Sequence, residues 1–275
     1  IVAMGGLLLP ALIKEGYDRK FSLGLVTASG SLGLLFPPSL PIIIYGYVAE
    51  VQIDKLFLAG ILPGILLLSL LAGYGYYKGK RFGIHTPAYS AAAVGSALRG
   101  AAWEIPLPII ILGGIYGGLF TVTEAAAITA LYALVVEVFV YRDIPVRKLP
   151  EIFSESVALV GGILVIIMCS FGFVNYLIDA EVPMHILEWM QQYISSKYTF
   201  LMILNVFLLV VGCLMDIFSA LIVVVPLVAP VAVGFGVDPV HLGIIFLTNL
   251  EIGYLTPPVG LNLFISSYRF KEPVV

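Results

Sequence analysis

The chain has 275 residues, of which 60% are hydrophobic and only 11% are charged, and its formal net charge at pH 7 is −3. A soluble domain carries about 25% charged residues, so this composition argues against a water-soluble fold. No basic patch accompanies the small net charge, so we expect no nucleic-acid partner. The apolar runs are continuous and lack the alternating pattern of a membrane β-barrel. The sequence therefore predicts an all-α polytopic membrane protein in a lipid bilayer.

The elements in chain order begin with a broken apolar segment that contains LGLLFPP at residues 32–38. Adjacent prolines remove backbone donors and clash with the preceding turn, so an ordinary helix cannot continue through them. Four membrane helices are expected next, at Leu56–Tyr77, Ile105–Phe120, Ala125–Tyr141 and Val157–Ile178. The stretch VPMHILEWMQQYISS, residues 182–196, predicts an interfacial helix on the outer face. Two more apolar runs, Phe200–Met215 and Ser219–Val233, precede a second break, IGYLTPP, at residues 252–258.

Three smaller patterns lie in the apolar runs. Thr121 and Glu124 have the spacing of a capping box, which favours a helix start over a binding role. Overlapping GxxxG pairs in residues 113–118 favour close helix packing. Glu137 and Glu251 are acids in or near the membrane, so each is interpreted either as a proton relay or as an interfacial residue.

The two breaks belong to an internal repeat. Shifting the sequence by 220 residues aligns seven identities in 29 ungapped positions, and they include the helix breakers. The first copy contributes Pro10, Gly16, Asp18, Gly33, Leu35, Pro37 and Pro38, which align with Pro230, Gly236, Asp238, Gly253, Leu255, Pro257 and Pro258. We therefore expect both copies to have the same local structure.

The distribution of cations predicts that the repeats are inverted. If the first break crosses outward and the later helices alternate, twelve Lys and Arg residues are cytoplasmic, and only Lys55 and Lys197 are outside. The second break then runs from outside to inside. This count holds whether residues 200–233 form a re-entrant hairpin or cross the membrane twice, so the depth of the hairpin is left open.

Inverted repeats with interrupted helices are typical of secondary transporters, whose binding site lies at the midplane where the broken ends meet. The sequence thus predicts three segments. Residues 1–50 end the first repeat, residues 51–198 supply connecting helices, and residues 199–275 contain the hairpin and the second broken helix. Unwound backbone at the breaks would face a cavity instead of lipid.

The residues at the breaks have suitable chemistry for such a site. Hydroxyl and amide oxygens suit a hard cation such as Na⁺, and half-helix N-termini suit a carboxylate. In the first break the candidate substrate or ion ligands are Ser29, Gly30, Gly33, Pro37, Pro38 and Ser39, with Thr27 and Ser31 as further hydroxyls. In the second they are Asn249, Gly253, Thr256, Pro257, Pro258 and Asn262, with Glu251 nearby. The alternative is that small and hydroxylated residues only allow close helix packing.

Asp216 is the strongest single candidate for a binding residue. It interrupts a long apolar run, where an unpaired carboxylate is costly and therefore a functional candidate. With Ser219 it would mark the tip of the hairpin. Asp is also a good N-cap residue, and both roles can hold together. The predicted Na⁺ ligands are Gly33, Asp216, Ser219, Gly253 and Thr256.

Four long stretches carry a family resemblance: GLVTASGSLGLLFPPSLPIIIYG, LFLAGILPGILL, GGIYGGLFTVTEAAAITALYAL and VDPVHLGIIFLTNLEIGYLTPPVGLNLF. They resemble the large membrane subunit of tripartite ATP-independent periplasmic (TRAP) transporters over essentially the whole chain. By position, the family's hairpin motif falls on residues 216–220, and its broken-helix motifs fall on residues 29–39 and 249–262. Where the family usually has TPTEAA, this chain has Val122 in place of the proline.

The resemblance implies an elevator-type, ion-transporter-like fold in the bacterial or archaeal inner membrane. It implies Na⁺-coupled import of organic acids such as C4-dicarboxylates or sialic acid, with Na⁺ as coupling ion and no other cofactor. The partners implied are a small four-helix membrane subunit and a periplasmic substrate-binding protein. It also implies that the chain is a fragment, without the N-terminal helices, the first hairpin tip and the last helix.

Two alternatives to this function are open. A one-component Na⁺-coupled anion transporter, which needs no binding protein, would have a similar inverted repeat. A membrane-embedded enzyme is a different class, and the sequence has no GxSxG motif, nucleotide loop or metal-ligand cluster in its favour. We therefore expect a transporter subunit and not an enzyme.

Overall fold

The computed structural model describes residues 1–84, 90–194 and 196–272, and these residues form helices and turns without strands. The helices are α1 Val2–Lys14, α2 Arg19–Ser29, α3 Leu40–Val48, α4 Ile53–Arg81, α5 Ala91–Gly100, α6 Pro106–Tyr116, α7 Val122–Val135, α8 Leu149–Asp179, α9 Val182–Tyr193, α10 Lys197–Leu214, α11 Ile217–Gly234, α12 Pro239–Gly253 and α13 Leu261–Phe270. Short 3-10 helices cover Leu32–Leu35 and Val146–Lys148, and a π-helical segment, Val136–Val140, extends α7. The predicted all-α class is confirmed.

Within the described residues, four helices are long and apolar enough to cross a membrane: α4, α7 with its π-helical extension, α10 and α11. The pair Arg19–Leu35 and Leu40–Val48, bent by 44°, adds a fifth span if it is counted as one. Along α4, the side chains of Leu58, Leu62 and Leu66 are 62%, 78% and 59% exposed. A row of exposed leucines is unfavourable in water, and it fits a surface that faces lipid. The fold is that of a polytopic membrane protein.

The chain divides into two compact units, Ile1–His85 with Ile167–Val275, and Thr86–Ile166. In the second unit, α6 is shorter than the predicted span at 105–120. At 1.5 Å per residue its 11 residues cover about 16 Å, roughly half of a bilayer core. Gly118 has a φ of +68°, and the Phe120 ring lies against Gly114. The overlapping GxxxG glycines therefore lie at the end of α6. The sequence predicted that they would allow close packing between helices.

The predicted capping box at the start of α7 is confirmed. The Thr121 hydroxyl accepts a hydrogen bond from the Glu124 backbone N–H at 3.3 Å, and the Glu124 carboxylate accepts one from the Thr121 N–H at 2.8 Å. Both side chains therefore form hydrogen bonds with backbone N–H groups at the start of the helix. This capping role is a sufficient explanation for the motif.

In the first unit, the turn between α1 and α2 is repeated between α11 and α12. Gly16 and Gly236 both have positive φ angles, +96° and +73°, which glycine adopts without strain. Asp18 caps α2 by accepting from the Phe21 N–H, and Asp238 caps α12 by accepting from two backbone N–H groups. Matching bonds close the turns: Tyr17 N to Leu12 O at 3.0 Å and Val237 N to Ala232 O at 2.9 Å. The repeat predicted from the sequence is thus present in the backbone.

Both predicted breaks are present. The helix before each break ends at Ser29 or Gly253, and each break contains one matching hydrogen bond. These bonds run from Phe36 N to Gly33 O at 3.2 Å and from Thr256 N to Gly253 O at 2.9 Å. The Pro37–Pro38 and Pro257–Pro258 bonds are both cis. After the prolines the chain becomes helical again, in α3 and α13.

The last helix of each repeat packs against the other repeat. Helix α3 packs on α11 and α12 of the second repeat, and α13 packs on α1 and α2 of the first. Each of these contacts has its counterpart at the 220-residue offset, as an approximate two-fold relation requires. Helix α10 lies along α12. The opposite directions of the repeats across the membrane, and the elevator motion, stay predictions.

Helix α9 begins at Val182, within the segment predicted to be interfacial, and ends at Tyr193. It packs on α11, where a Cβ on Gly234 would lie 2.6 Å from Leu187 Cδ2. Ser195, also in the predicted segment, lies outside the described residues. The interfacial position of α9 stays a prediction.

Candidate functional site

The second break is held against the end of α10 by backbone contact. A Cβ on Gly253 would lie 2.6 Å from Gly212 Cα, a distance that real Cβ atoms do not adopt. The Gly260 N–H donates to the Cys213 carbonyl at 3.1 Å. Glycine at residues 212 and 253 therefore allows the two backbones to touch, as small residues commonly do between membrane helices. The Gly253 carbonyl accepts from Thr256 N, so this candidate ligand also builds the turn.

Asp216 lies between α10 and α11, as predicted, and it caps α11. Its Oδ1 accepts hydrogen bonds from Phe218 N at 3.0 Å and Ser219 N at 3.1 Å, and its Oδ2 accepts one from the Ser219 hydroxyl. A carboxylate has about four lone-pair sites, so this cap leaves an acceptor site free. The side chain is exposed. The cap role is confirmed, and cation binding by Asp216 and Ser219 stays a prediction.

Asn249 makes contacts that its sequence motif does not reveal. Its Nδ2 donates to Asn205 Oδ1 at 2.7 Å and to Ile245 O at 2.8 Å, so both amide hydrogens are used within the protein. Asn205 on α10 was not a predicted site residue, although an amide within that apolar run was the available signal. The pair connects α10 to α12, and it leaves the Asn249 carbonyl oxygen as the group available to a ligand.

Three buried polar atoms near the second break have no hydrogen-bond partner within the part of the chain that the structure describes. They are Glu251 Oε2, Tyr254 Oη and Asn262 Nδ2, and the three residues are 3%, 5% and 7% exposed. Burying such groups without a partner is costly, so each requires a ligand, an ion or a water. The two breaks lie side by side, because α12 packs against the 3-10 helix Leu32–Leu35 of the first break. Oxygen atoms without partners fit a hard cation, and the amide fits an anion.

The first break presents hydroxyl groups that are bonded locally. Ser29 donates to Val26 O at 3.1 Å and is exposed, while buried Ser39 donates to Leu34 O. A Cβ on Gly30 would collide with Ile1, whereas one on Gly33 would have open space around it. The hydroxyl oxygens still have free lone pairs. Like Asp216, these serines are positioned by their own helix turn.

The helix ends determine the charge pattern of the site. Helices α2 and α12 end at the breaks, so their last carbonyls give those points partial negative charge. Helices α3 and α13 begin just after the prolines, so their first N–H groups give partial positive charge. Exposed Thr256, Pro257 and Pro258 lie between the two kinds of end. Each break can therefore hold a cation on one side and an anion on the other, as in transporters with discontinuous helices.

The sequence is similar to known membrane transport proteins. Residues 1–271 match the family model described as the tripartite ATP-independent periplasmic transporter, DctM component. The C4-dicarboxylate TRAP transporter large permease protein DctM of Rhodobacter capsulatus is 36% identical over 284 residues, covering 97% of this chain and 64% of the relative. The isethionate TRAP transporter permease protein DctMQ of Oleidesulfovibrio alaskensis is 37% identical over 269 residues, covering 97% and 42%. The sialic acid TRAP transporter permease protein SiaT of Haemophilus influenzae is 33% identical over 263 residues, covering 95% and 43%.

The chain thus spans less than two thirds of the length of these relatives. The match includes both breaks, the α10–α11 junction and the capping box at Thr121. All three relatives are named as permeases. On this match, together with the paired breaks and the membrane-length helices, the chain belongs to the family of large membrane subunits (the DctM component) of tripartite ATP-independent periplasmic transporters.

Proposed function

We propose that this chain is part of the large membrane subunit of a Na⁺-coupled importer of organic acid anions. The observation that carries the proposal is the pair of adjacent breaks, each with a helix C-terminus and a helix N-terminus. The named relatives transport C4-dicarboxylates, isethionate and sialic acid, all of which are organic acids. A small four-helix membrane subunit and a periplasmic binding protein complete the system.

The site works through fixed partial charges. The first N–H groups of α3 and α13 bind the acid group of the substrate, because a helix N-terminus attracts anions. The carbonyls that end α2 and α12, with the oxygens of Asp216, Ser219 and Thr256, hold Na⁺. Bound Na⁺ supplies positive charge beside the substrate and links its uptake to the ion gradient.

The location of the protein in the bacterial inner membrane is inferred from its family. The relatives are bacterial permeases, and the described helices include four that are long enough to cross a bilayer. The protein is therefore a multi-pass protein of the bacterial inner membrane. A one-component anion transporter is less well supported, since the matching relatives are named as parts of tripartite systems.

The test is uptake of labelled C4-dicarboxylate and sialic acid into proteoliposomes that contain the full-length permease and its small subunit. Binding protein and an inward Na⁺ gradient are added separately and together. Two variants isolate the role of Asp216: Asp216→Asn keeps an N-cap side chain and removes the charge, and Asp216→Ala removes both.

We expect uptake to require both Na⁺ and the binding protein. Asp216→Asn should retain the thermal stability of the wild type but lose Na⁺-dependent uptake, and Asp216→Ala should lose both, with about 0.5–2 kcal/mol of stability lost with the cap. Uptake that needs no binding protein would establish the one-component alternative. Normal Na⁺ dependence in Asp216→Asn would leave Asp216 as a helix cap only.

A further inference from the structure

Glu251 is a buried acid whose charge has no partner. The residue is 3% exposed, and its Oε2 forms no hydrogen bond within the described residues. None of the ion pairs in the described part of the chain includes it. Asp216 is explained by its role as a helix cap, but Glu251 lies in the last turn of α12, where the backbone carbonyls already carry partial negative charge. An ionised carboxylate at this position is therefore unfavourable.

The surroundings of Glu251 are largely apolar. The residue lines a cavity of about 310 Å³ between α12, α4 and the first break. Tyr74 is the other lining residue with a polar side chain, and the rest are leucines, Ile252 and Ala28. Apolar side chains offer a carboxylate no hydrogen bonds, so the ionised form costs far more here than in water. Lipid or protein packed over the cavity would add to this burial.

The charged groups of the neighbouring elements do not line this cavity. Helix α12 packs on α3, α4, α10, α11 and the 3-10 helix Leu32–Leu35. Lys78 Nζ lies over the Tyr74 ring, 5.6 Å from its centroid, and is not a lining residue. The other ionisable side chains of these elements, of α12 and of α2 also lie outside the lining: Arg19, Lys20, Tyr45, Tyr47, Asp54, Lys55, Tyr76, Tyr77, Lys80, Arg81, Lys197, Tyr198, Cys213, Asp216, Asp238, His241 and Tyr254.

The repeat shows that the fold of a break does not require an acid at this position. At the 220-residue offset, Glu251 corresponds to Ser31, which is also 3% exposed. The Ser31 hydroxyl donates to Ala28 O at 3.3 Å, so its hydrogen bond is made within its own turn. Glu251 has no such explanation, because its Oε2 has no donor. A ligand that neutralises the carboxylate would account for it.

We propose that Glu251 is a proton-binding site at the contact of α12 with α4 and the first break. A hard metal cation takes several oxygen ligands, and the side chains that line the cavity supply oxygens only from Glu251 and Tyr74. A proton needs a single oxygen: it bonds to the carboxylate, and the side chain becomes neutral. Protonation therefore stabilises the arrangement of the two breaks described above. The site is separate from the proposed Na⁺ ligands and does not depend on the proposed function, because it concerns the charge of one side chain in the folded protein.

Infrared spectroscopy of the full-length permease tests this charge state without a transport assay. Glu251→Gln has nearly the same shape and lacks the C=O stretching band of a protonated carboxyl, and Glu251→Met is a second neutral variant if the glutamine variant does not fold. Glu124→Gln is the matched control, because Glu124 is an exposed acid whose carboxylate accepts hydrogen bonds from Thr121. Spectra are recorded near neutral pH in H₂O and in D₂O, with and without Na⁺.

We expect the wild type to show a protonated-carboxyl band that shifts in D₂O, is lost in Glu251→Gln and is retained in Glu124→Gln. Thermal unfolding over a series of pH values gives a second readout. As pH rises, the wild type should lose stability relative to Glu251→Gln, because deprotonation places a charge in the apolar cavity and the glutamine cannot ionise. Glu124→Gln should follow the pH dependence of the wild type at neutral and higher pH.

Two results would overturn the proton site. One is a folded wild type whose spectrum lacks the band that Glu251→Gln should remove. The other is a stability difference between wild type and Glu251→Gln that follows the Na⁺ concentration and not the pH. Neither measurement needs substrate or binding protein, so failed uptake leaves the result unchanged. Either overturning result with intact Na⁺-dependent uptake would reject the proton site and leave the proposed function in place.

Discussion

The contact between α10 and the second break predicts that Gly253→Ala damages the protein. The added Cβ would lie 2.6 Å from Gly212 Cα and 2.9 Å from Cys213 N. Both are backbone atoms, so no side chain can rotate away to make room. Gly212→Ala tests the same contact from α10, because a Cβ there would lie 2.9 Å from Leu250 Cα. Neither glycine has a positive φ, so both substitutions act through lost space and not through backbone strain.

The size of the effect follows from the distances. Carbon atoms are in favourable contact at about 3.5–4.0 Å, so α10 and α12 must separate by roughly 1 Å at this point. Overpacking of a close-packed interior typically costs about 1–3 kcal/mol, and we expect the upper end because the backbone itself must move. The shift also pulls on the Gly260–Cys213 hydrogen bond, which positions the break beside Asp216.

The assay compares Gly253→Ala and Gly212→Ala with the wild type in the purified full-length permease. Thermal unfolding in detergent reports stability, and Na⁺-dependent uptake in proteoliposomes reports function. Gly253→Ala should unfold at a lower temperature and lose most uptake, and Gly212→Ala should also unfold at a lower temperature. Wild-type stability of both variants would refute the backbone contact as the reason for glycine at residue 253.

Two further predictions concern bonds between helices. Tyr45→Phe keeps the ring but removes the hydrogen bond to Pro239 O, so it should cost about 0.5–1.5 kcal/mol in unfolding experiments; an unchanged unfolding free energy would show that this bond does not stabilise the packing of α3 on α12. Asn205→Leu removes the partner of Asn249 and should cost about 0.6–2 kcal/mol, with Asn249→Leu costing a similar amount and the double variant costing less than the sum. Additive costs in that cycle would contradict a direct pair.

Several of the predicted site residues have structural roles in the fold. Asp216 and Ser219 form a helix cap, and Gly253 lets two backbones touch. These structural roles do not exclude ion binding, because a cap leaves one carboxylate acceptor free and a close backbone contact fixes the position of neighbouring carbonyls. The buried atoms without partners, Glu251 Oε2 among them, point to a ligand more directly than the candidate motifs do.

The sequence alone determined the class of protein, the repeat, both breaks and the caps at Thr121 and Asp216. These follow from local physics: apolar length sets a membrane helix, paired prolines stop a helix, and an aspartate before a helix accepts from its free N–H groups. The length of α6 was the exception, since Phe120 folding back on Gly114 depends on a turn that the apolar pattern does not show.

Only the tertiary structure decided which distant residues meet. The Asn205–Asn249 pair and the Gly212–Gly253 contact each join segments more than 40 residues apart. Composition and periodicity describe one helix at a time, so they cannot show which helix lies alongside another.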